Sequence, residues 1–168
     1  MVIRSGEHAC CVDSVSWGRI AINEGGTVAV LDDQGGLVRV FQFAGSKVSA
    51  ARLDRGRLIV ARSSMIESYD VASGTRRLQR PLPHGYTLAD VDGGVAVLHG
   101  SKGDSFMLLR LADGRSFTFA PGNDSAGRVR LADLEPPGLY YSYPTVAGEG
   151  RVVFMPRVEV LRRLDAPS

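Results

Sequence analysis

Several short stretches of this 168-residue chain carry residue types capable of chemistry. His8, Cys10, Cys11 and Asp13 place metal-ligand types within six residues. On a strand, successive side chains alternate between faces, so His8 and Cys10 project to one side and Cys11 and Asp13 to the other. No second cluster completes a closed zinc set, and no metal is expected. Cys10 and Cys11 are the only cysteines, too few for a disulfide framework; they read as small buried side chains. Asp90-Val91-Asp92-Gly93-Gly94 and Asp32-Asp33-Gln34-Gly35-Gly36 resemble calcium loops only in their acids. Calcium takes roughly six or more oxygens from acids spaced along a longer loop, whereas an Asp ahead of glycines is turn chemistry. Gly100-Ser101-Lys102-Gly103-Asp104 lacks the spacing and the following helix of a phosphate loop, and reads as a hairpin loop. His84 and His99 lie in or beside turns with no nucleophile nearby in sequence, so no triad is drawn. Catalytic, cofactor and metal residues are all expected to be absent.

The remaining candidates are aromatic. Leu139-Tyr140-Tyr141-Ser142-Tyr143-Pro144 reads as a strand on which Tyr141 and Tyr143 share a face with Leu139 while Tyr140 takes the other. Tyrosine presents an apolar body and a polar tip, which suits both an inner strand and a recognition surface. Tyr140, Tyr141 and Tyr143 are therefore the candidates for contacting a ligand or partner.

The elements that position these residues follow a repeated phrase. Gly56-Arg57-Leu58-Ile59-Val60-Ala61, then Met65 to Tyr69, then Ser73-Gly74 is matched by Gly93-Gly94-Val95-Ala96-Val97-Leu98, Phe106 to Leu111 and Asp113-Gly114. Weaker echoes stand at Gly26 to Val30 and Gly150 to Phe154. The clearest copy lays out as strands Val48–Leu53, Arg57–Ala61, Met65–Val71 and Thr75–Leu82. The next lays out as Tyr86–Val91, Val95–Leu98, Ser105–Leu111 and Arg115–Phe119, an antiparallel meander with tight turns. The second strand of each copy is apolar without alternation, which predicts burial on both faces. The fourth strand alternates and carries arginine, as an outer strand would. A strand repeat of about 40 residues with buried inner strands is the pattern of β-propeller blades. The expected fold is all-β, a β-propeller unit of about four blades of four antiparallel strands, incomplete or part of a larger propeller. One domain spans 1–168, with blade-like units near 18–47, 48–83, 85–120 and 128–164. Pro121 to Arg128 and Leu134 to Gly138 interrupt the rhythm before the last unit. Val158, Leu161 and Leu164 fit a short helix or a strand equally, and the strand is preferred as the closing third strand of the last unit.

Composition limits the partners. The chain carries 20 basic and 18 acidic residues, so no cationic field selects nucleic acid. Eighteen of the basic residues are arginine, scattered along the chain. No apolar run reaches the roughly 18 residues of a membrane span. No signal-peptide core precedes Trp17, so the chain as written is expected in the cytoplasm, or outside it if a leader has been lost.

Tyr69-Asp70-Val71-Ala72-Ser73-Gly74-Thr75-Arg76-Arg77-Leu78 resembles the blade signature of the quinoprotein-like propeller repeats, in which an Asp-Ala-x-Thr-Gly-Lys turn precedes an outer strand ending in tryptophan. Ser73 stands in place of the threonine and Leu78 in place of the tryptophan. Trp17 precedes Gly18 where a strict WD40 blade closes on Trp-Asp, so the looser likeness is to WD40-like and TolB-like bacterial propellers. The resemblance implies the fold; the function expected on it is a non-catalytic binding or scaffolding module without cofactor, for a protein or a small ligand, with another protein or a second copy that completes the propeller as the partner. The rival it implies is a quinone- or calcium-dependent propeller enzyme or a fragment of one.

Overall fold

Tight turns recur every few residues, and apolar runs between them leave little choice but strand. The computed structural model describes residues 11–16, 18–101, 105–119, 125, 129 and 131–166. His8, Cys10, Trp17, the Lys102–Asp104 part of the hairpin loop and nearly all of the Pro121–Arg128 loop lie outside these residues. So do the side chains of Cys11 and Asp13.

Among the described residues, strands β1 (Cys11–Ser16), β2 (Arg19–Glu24), β3 (Thr27–Asp32) and β4 (Leu37–Gln42) form one antiparallel sheet in that order. Its first strand lies ahead of residue 18, where the sequence placed the start of the unit. Strands β5 (Val48–Asp54), β6 (Arg57–Arg62), β7 (Met65–Asp70) and β8 (Arg76–Pro81) form the second sheet. The third is β9 (Tyr86–Asp92), β10 (Val95–Gly100), β11 (Phe106–Arg110) and β12 (Ser116–Phe119). The fourth has three strands, β13 (Leu131–Glu135), β14 (Gly138–Pro144) and β15 (Gly150–Pro156). The chain divides into two compact units at Gln79/Arg80, and each is described on its own.

The strand grading expected from sequence is present. All of Leu58 to Ala61 and Val95 to Leu98 are buried, whereas most of β8 is exposed. In the first unit, Ala21, Val28, Val30 and Phe41 of the first sheet pack against Ala51, Leu53, Leu58, Val60 and Val71. In the second unit, Val97, Phe106, Leu108 and Phe119 pack against Leu134, Leu139, Tyr141 and Tyr143. Each core is thus one sheet face laid on another.

The preferred strand near Leu164 is corrected. Residues Arg157–Asp165 form helix α1 directly after Pro156. Leu, Arg and Glu are good helix formers, Glu159 lies in the first turn, and Arg162 and Arg163 lie in the last, matching the helix dipole. Glu159 also pairs with Arg162 (2.7 Å) and Arg163 (2.6 Å) one turn on. The buried stripe is Val160 and Leu164, while Val158 is 74% exposed. No helix among the described residues is long and apolar enough to cross a membrane.

Candidate functional site

The first unit contains a cleft of about 340 Å³ lined by Arg39, Phe41, Gln42, Phe43, Arg62 and Tyr69, with Val40, Ala44 and Gly74 at its margin. It arises from two strands with different tasks. Arg39 on β4 shares a face with Val30, its cross-strand partner, and so points toward the second sheet. There its Nε donates to the Val71 carbonyl at 2.6 Å and its Nη2 donates to the Ala72 carbonyl. Gly74, at φ +75°, makes the turn after β7. Glycine is favoured there by the backbone conformation, and a Cβ would lie 2.8 Å from Arg39 Nη1, which would have to shift aside.

The wall opposite is a charged network. Glu67 on β7 is buried, with 2% of its surface exposed. Arg62 donates to it from Nε at 2.6 Å and Nη2 at 3.3 Å, in a forked pair. Tyr69 Oη donates at 2.8 Å and Arg76 Nη1 at 3.2 Å. Arg62 spends its third amino group on Ser46 Oγ at 2.6 Å and lies 5.2 Å above the Phe43 ring. Phe41 and Phe43 meet Tyr69 edge-on at 5.6 and 5.5 Å. Burial pushes the Glu67 carboxyl up, but the hydrogen bonds from Arg62 and Tyr69 and the charges of Arg62 and Arg76 outweigh it and hold the group below its ordinary range. Burial and the bond to Glu67 push the Tyr69 hydroxyl up, so it remains a donor. Asp70 is engaged in its own turn, accepting from Ser73 N and Oγ, both at 2.7 Å.

The repeat supplies an internal control. The β6–β7 register pairs Arg57 with Asp70, and the β10–β11 register pairs Val95 with Arg110. Aligning the pairs sets Glu67 against Met107, Tyr69 against Leu109 and Arg62 against Gly100. Arg39 does have a counterpart: in the second unit Arg80 donates from Nε to the Leu111 carbonyl at 3.1 Å and from Nη2 to the Ala112 carbonyl at 2.6 Å. The outer arginine is a structural latch of the repeat, whereas the Arg62–Glu67–Tyr69 network belongs to one blade only. Sequence reading passed over these residues as scattered arginines. The available signal was an acid in the middle of β7 where the next copy carries methionine.

The candidate tyrosines separate as their alternation predicted. Tyr141 and Tyr143 are buried with Leu139 in the second core, Tyr141 lying 5.2 Å from Phe106 and 5.6 Å from Phe119. Burial pushes the Tyr141 hydroxyl up. Tyr140 takes the opposite face, its ring tilted against that of Phe154 at 4.7 Å, and Phe154 is 45% exposed.

The acids singled out by sequence have local roles. Asp32 accepts from Gln34 N and Gly36 N, closing its turn. Asp92 Oδ2 lies 3.0 Å from Arg157 Nη1, tying the start of α1 to β9. Asp90 Oδ2 accepts from Leu134 N at 2.8 Å, as Ser14 Oγ accepts from Leu53 N at 3.1 Å in the first unit. These are a second recurrent latch, from the first strand of one sheet to the first strand of the next. Burial pushes the Asp90 carboxyl up to about 6, the Leu134 N–H opposes this, and neighbouring Asp133 raises it further. His99 is half-buried on β10, and burial pushes its imidazole down, toward the neutral form. No group of three or more metal-ligating side chains is found among the described residues.

No family model and no curated protein matches the chain by sequence. Solved structures do match by fold. BamB from Moraxella catarrhalis is similar with a TM-score of 0.51 and 19% identity over 85% of this chain and 49% of that one. A chain of the mitotic checkpoint complex is similar with a TM-score of 0.58 and 12% identity over 83% of this chain and 45% of that one. The chain therefore has a β-propeller repeat fold, and it spans about half the length of these two structures.

Proposed function

We propose that this chain is a non-catalytic propeller module that binds protein through open sheet faces, and that a second copy of the chain is the partner that covers them. The observation carrying this reading is the outer face of the first sheet. The registers Val15↔Ile20↔Leu31↔Leu37 and Ile22↔Ala29↔Val40 place these apolar side chains on one face, opposite the core face of Ala21, Val28, Val30 and Phe41. Val15 is 70% exposed, Leu37 51% and Val40 43%. Leu31 is buried and Ile20, Ile22 and Ala29 are half-buried, so the exposed apolar surface of this face is Val15, Leu37 and Val40. Isolated exposed apolar residues need no explanation, but three on one sheet face mark an interaction surface.

The fourth sheet supports the reading from the other unit. Asp133↔Tyr140↔Phe154 and Ser142↔Val152 lie on the face turned away from the second core, with Val152 75% exposed. Blade faces are ordinarily covered by further blades, and the proposed partner would cover these two. In the proposed pair, the aliphatic face of one copy meets the Tyr140–Phe154 face of the other.

Sedimentation equilibrium tests the reading. The expected result is a two-copy mass at micromolar concentration and a one-copy mass for Val40→Asp and for Phe154→Asp. A one-copy mass of the unaltered chain at every concentration would overturn it, as would assembly indifferent to both substitutions.

A further inference from the structure

The Arg62–Glu67–Tyr69 wall of the cleft belongs to one blade only, and the cleft adjoins the open face of the first sheet at Val40. Its floor is β4, the last strand in the order of its sheet, so one edge of β4 has no strand beside it among the described residues. Along that strand Leu37, Val38 and Val40 are exposed, as is Gln42. Strand β8 stands in the same position of its own sheet and carries Arg76, Arg77 and Arg80; charges of that kind protect an edge from pairing. Strand β4 has a single charge, Arg39, and it points into the cleft.

The cleft is also electrostatically unbalanced. Arg62 and Arg76 pair with the buried Glu67, whereas Arg39 makes no ion pair among the described residues and its charge reaches only Asp70, which is engaged in its own turn. Arg39 uses Nε and Nη2 on carbonyl oxygens, and its Nη1 makes no hydrogen bond among the described residues. Gly74 leaves the mouth beside that amino group unblocked.

We propose that the cleft receives an acidic side chain from an extended segment of a partner protein, which lies along the free edge of β4. Main-chain pairing to the edge provides length, and the carboxylate beside Arg39 provides selectivity. The Arg62–Glu67–Tyr69 network holds the wall rigid so that Arg39 need not reorganise. This deepens the protein-binding reading given above and rests on it, but it is carried by Arg39 and the β4 edge, which the pairing test by Val40→Asp and Phe154→Asp does not probe. If the copies pair and the peptide described next fails to bind, only the present proposal falls.

The test is fluorescence anisotropy on the full chain with a labelled peptide of about six residues alternating valine and glutamate. Its glutamine counterpart is expected to bind about tenfold more weakly, the scale of one charge-assisted bond. Arg39→Gln should weaken the glutamate peptide by about the same factor, while Arg80→Gln, which removes the equivalent latch elsewhere, should not. Gln42→Glu, a change at an exposed cleft residue that leaves the core untouched, should weaken it too. Equal binding of the two peptides, no binding of either, or equal effects of the Arg39 and Arg80 substitutions would overturn the proposal. Displacement by free glutarate at the peptide's own concentration would also overturn it, assigning the cleft to a small dicarboxylate.

Discussion

At the scale of residues, buried Glu67 and half-buried Asp90 respond to pH in opposite directions. Glu67 is held below its ordinary range by the Arg62 fork and the Tyr69 hydroxyl, so its contribution is present above the unfolded-state pKa and lost on acidification. Asp90 is raised to about 6, mainly by burial. The native state therefore keeps its proton where the unfolded chain has released it, and the stability from this group is lost as pH rises from about 4 to 6, by about 2–3 kcal/mol. Asp90→Asn keeps an oxygen to accept the Leu134 N–H and has no proton to lose. Thermal melts between pH 4 and 7 should show a higher Tm than the unaltered chain at pH 7 and no such advantage at pH 4. Glu67→Gln should cost about 3 kcal/mol at pH 7 by leaving Arg62 partly buried without its anion, read as a fall in the urea midpoint. Neither role was legible in the chain. Glu67 meets Arg76 nine residues on, and Asp90 meets Leu134 across 44 residues, separations that only the folded sheets make short.

At the scale of elements, turn chemistry and apolar grading carried most of the information. Strands β5 to β7 and β9 to β11 fall within a residue or two of where Gly-rich turns and the runs Leu58–Ala61 and Val95–Leu98 place them. Helix α1 was missed because its buried stripe, Val160 and Leu164, is short and overlaps the more conspicuous Val158 and Leu161. Its docking depends on β14 and β15 lying close, which Gly138 permits. A Cβ at Gly138 would collide with the Met155 carbonyl oxygen and the Phe154 ring. Gly138→Ala should therefore lower Tm by about 5 °C, as a loss of about 2 kcal/mol does in a chain of this size. Gly150→Ala, on β15 with open space around it, should change Tm far less than Gly138→Ala.

At the scale of the whole molecule, the repeat declared a propeller fold, and the similarity to solved propeller structures agrees. Which faces would be left open was not legible, because an outward Val40 and an inward Val30 look alike until register assigns them to opposite sides of one sheet. The central claim is that the outer faces of the first and fourth sheets are interfaces. Carbene footprinting at rising protein concentration tests it most directly. The account predicts that labelling of Val15, Leu37, Val40, Val152 and Phe154 falls severalfold as copies pair, while labelling of β8 stays constant. Labelling of those five residues that does not change from dilute to concentrated protein would contradict it.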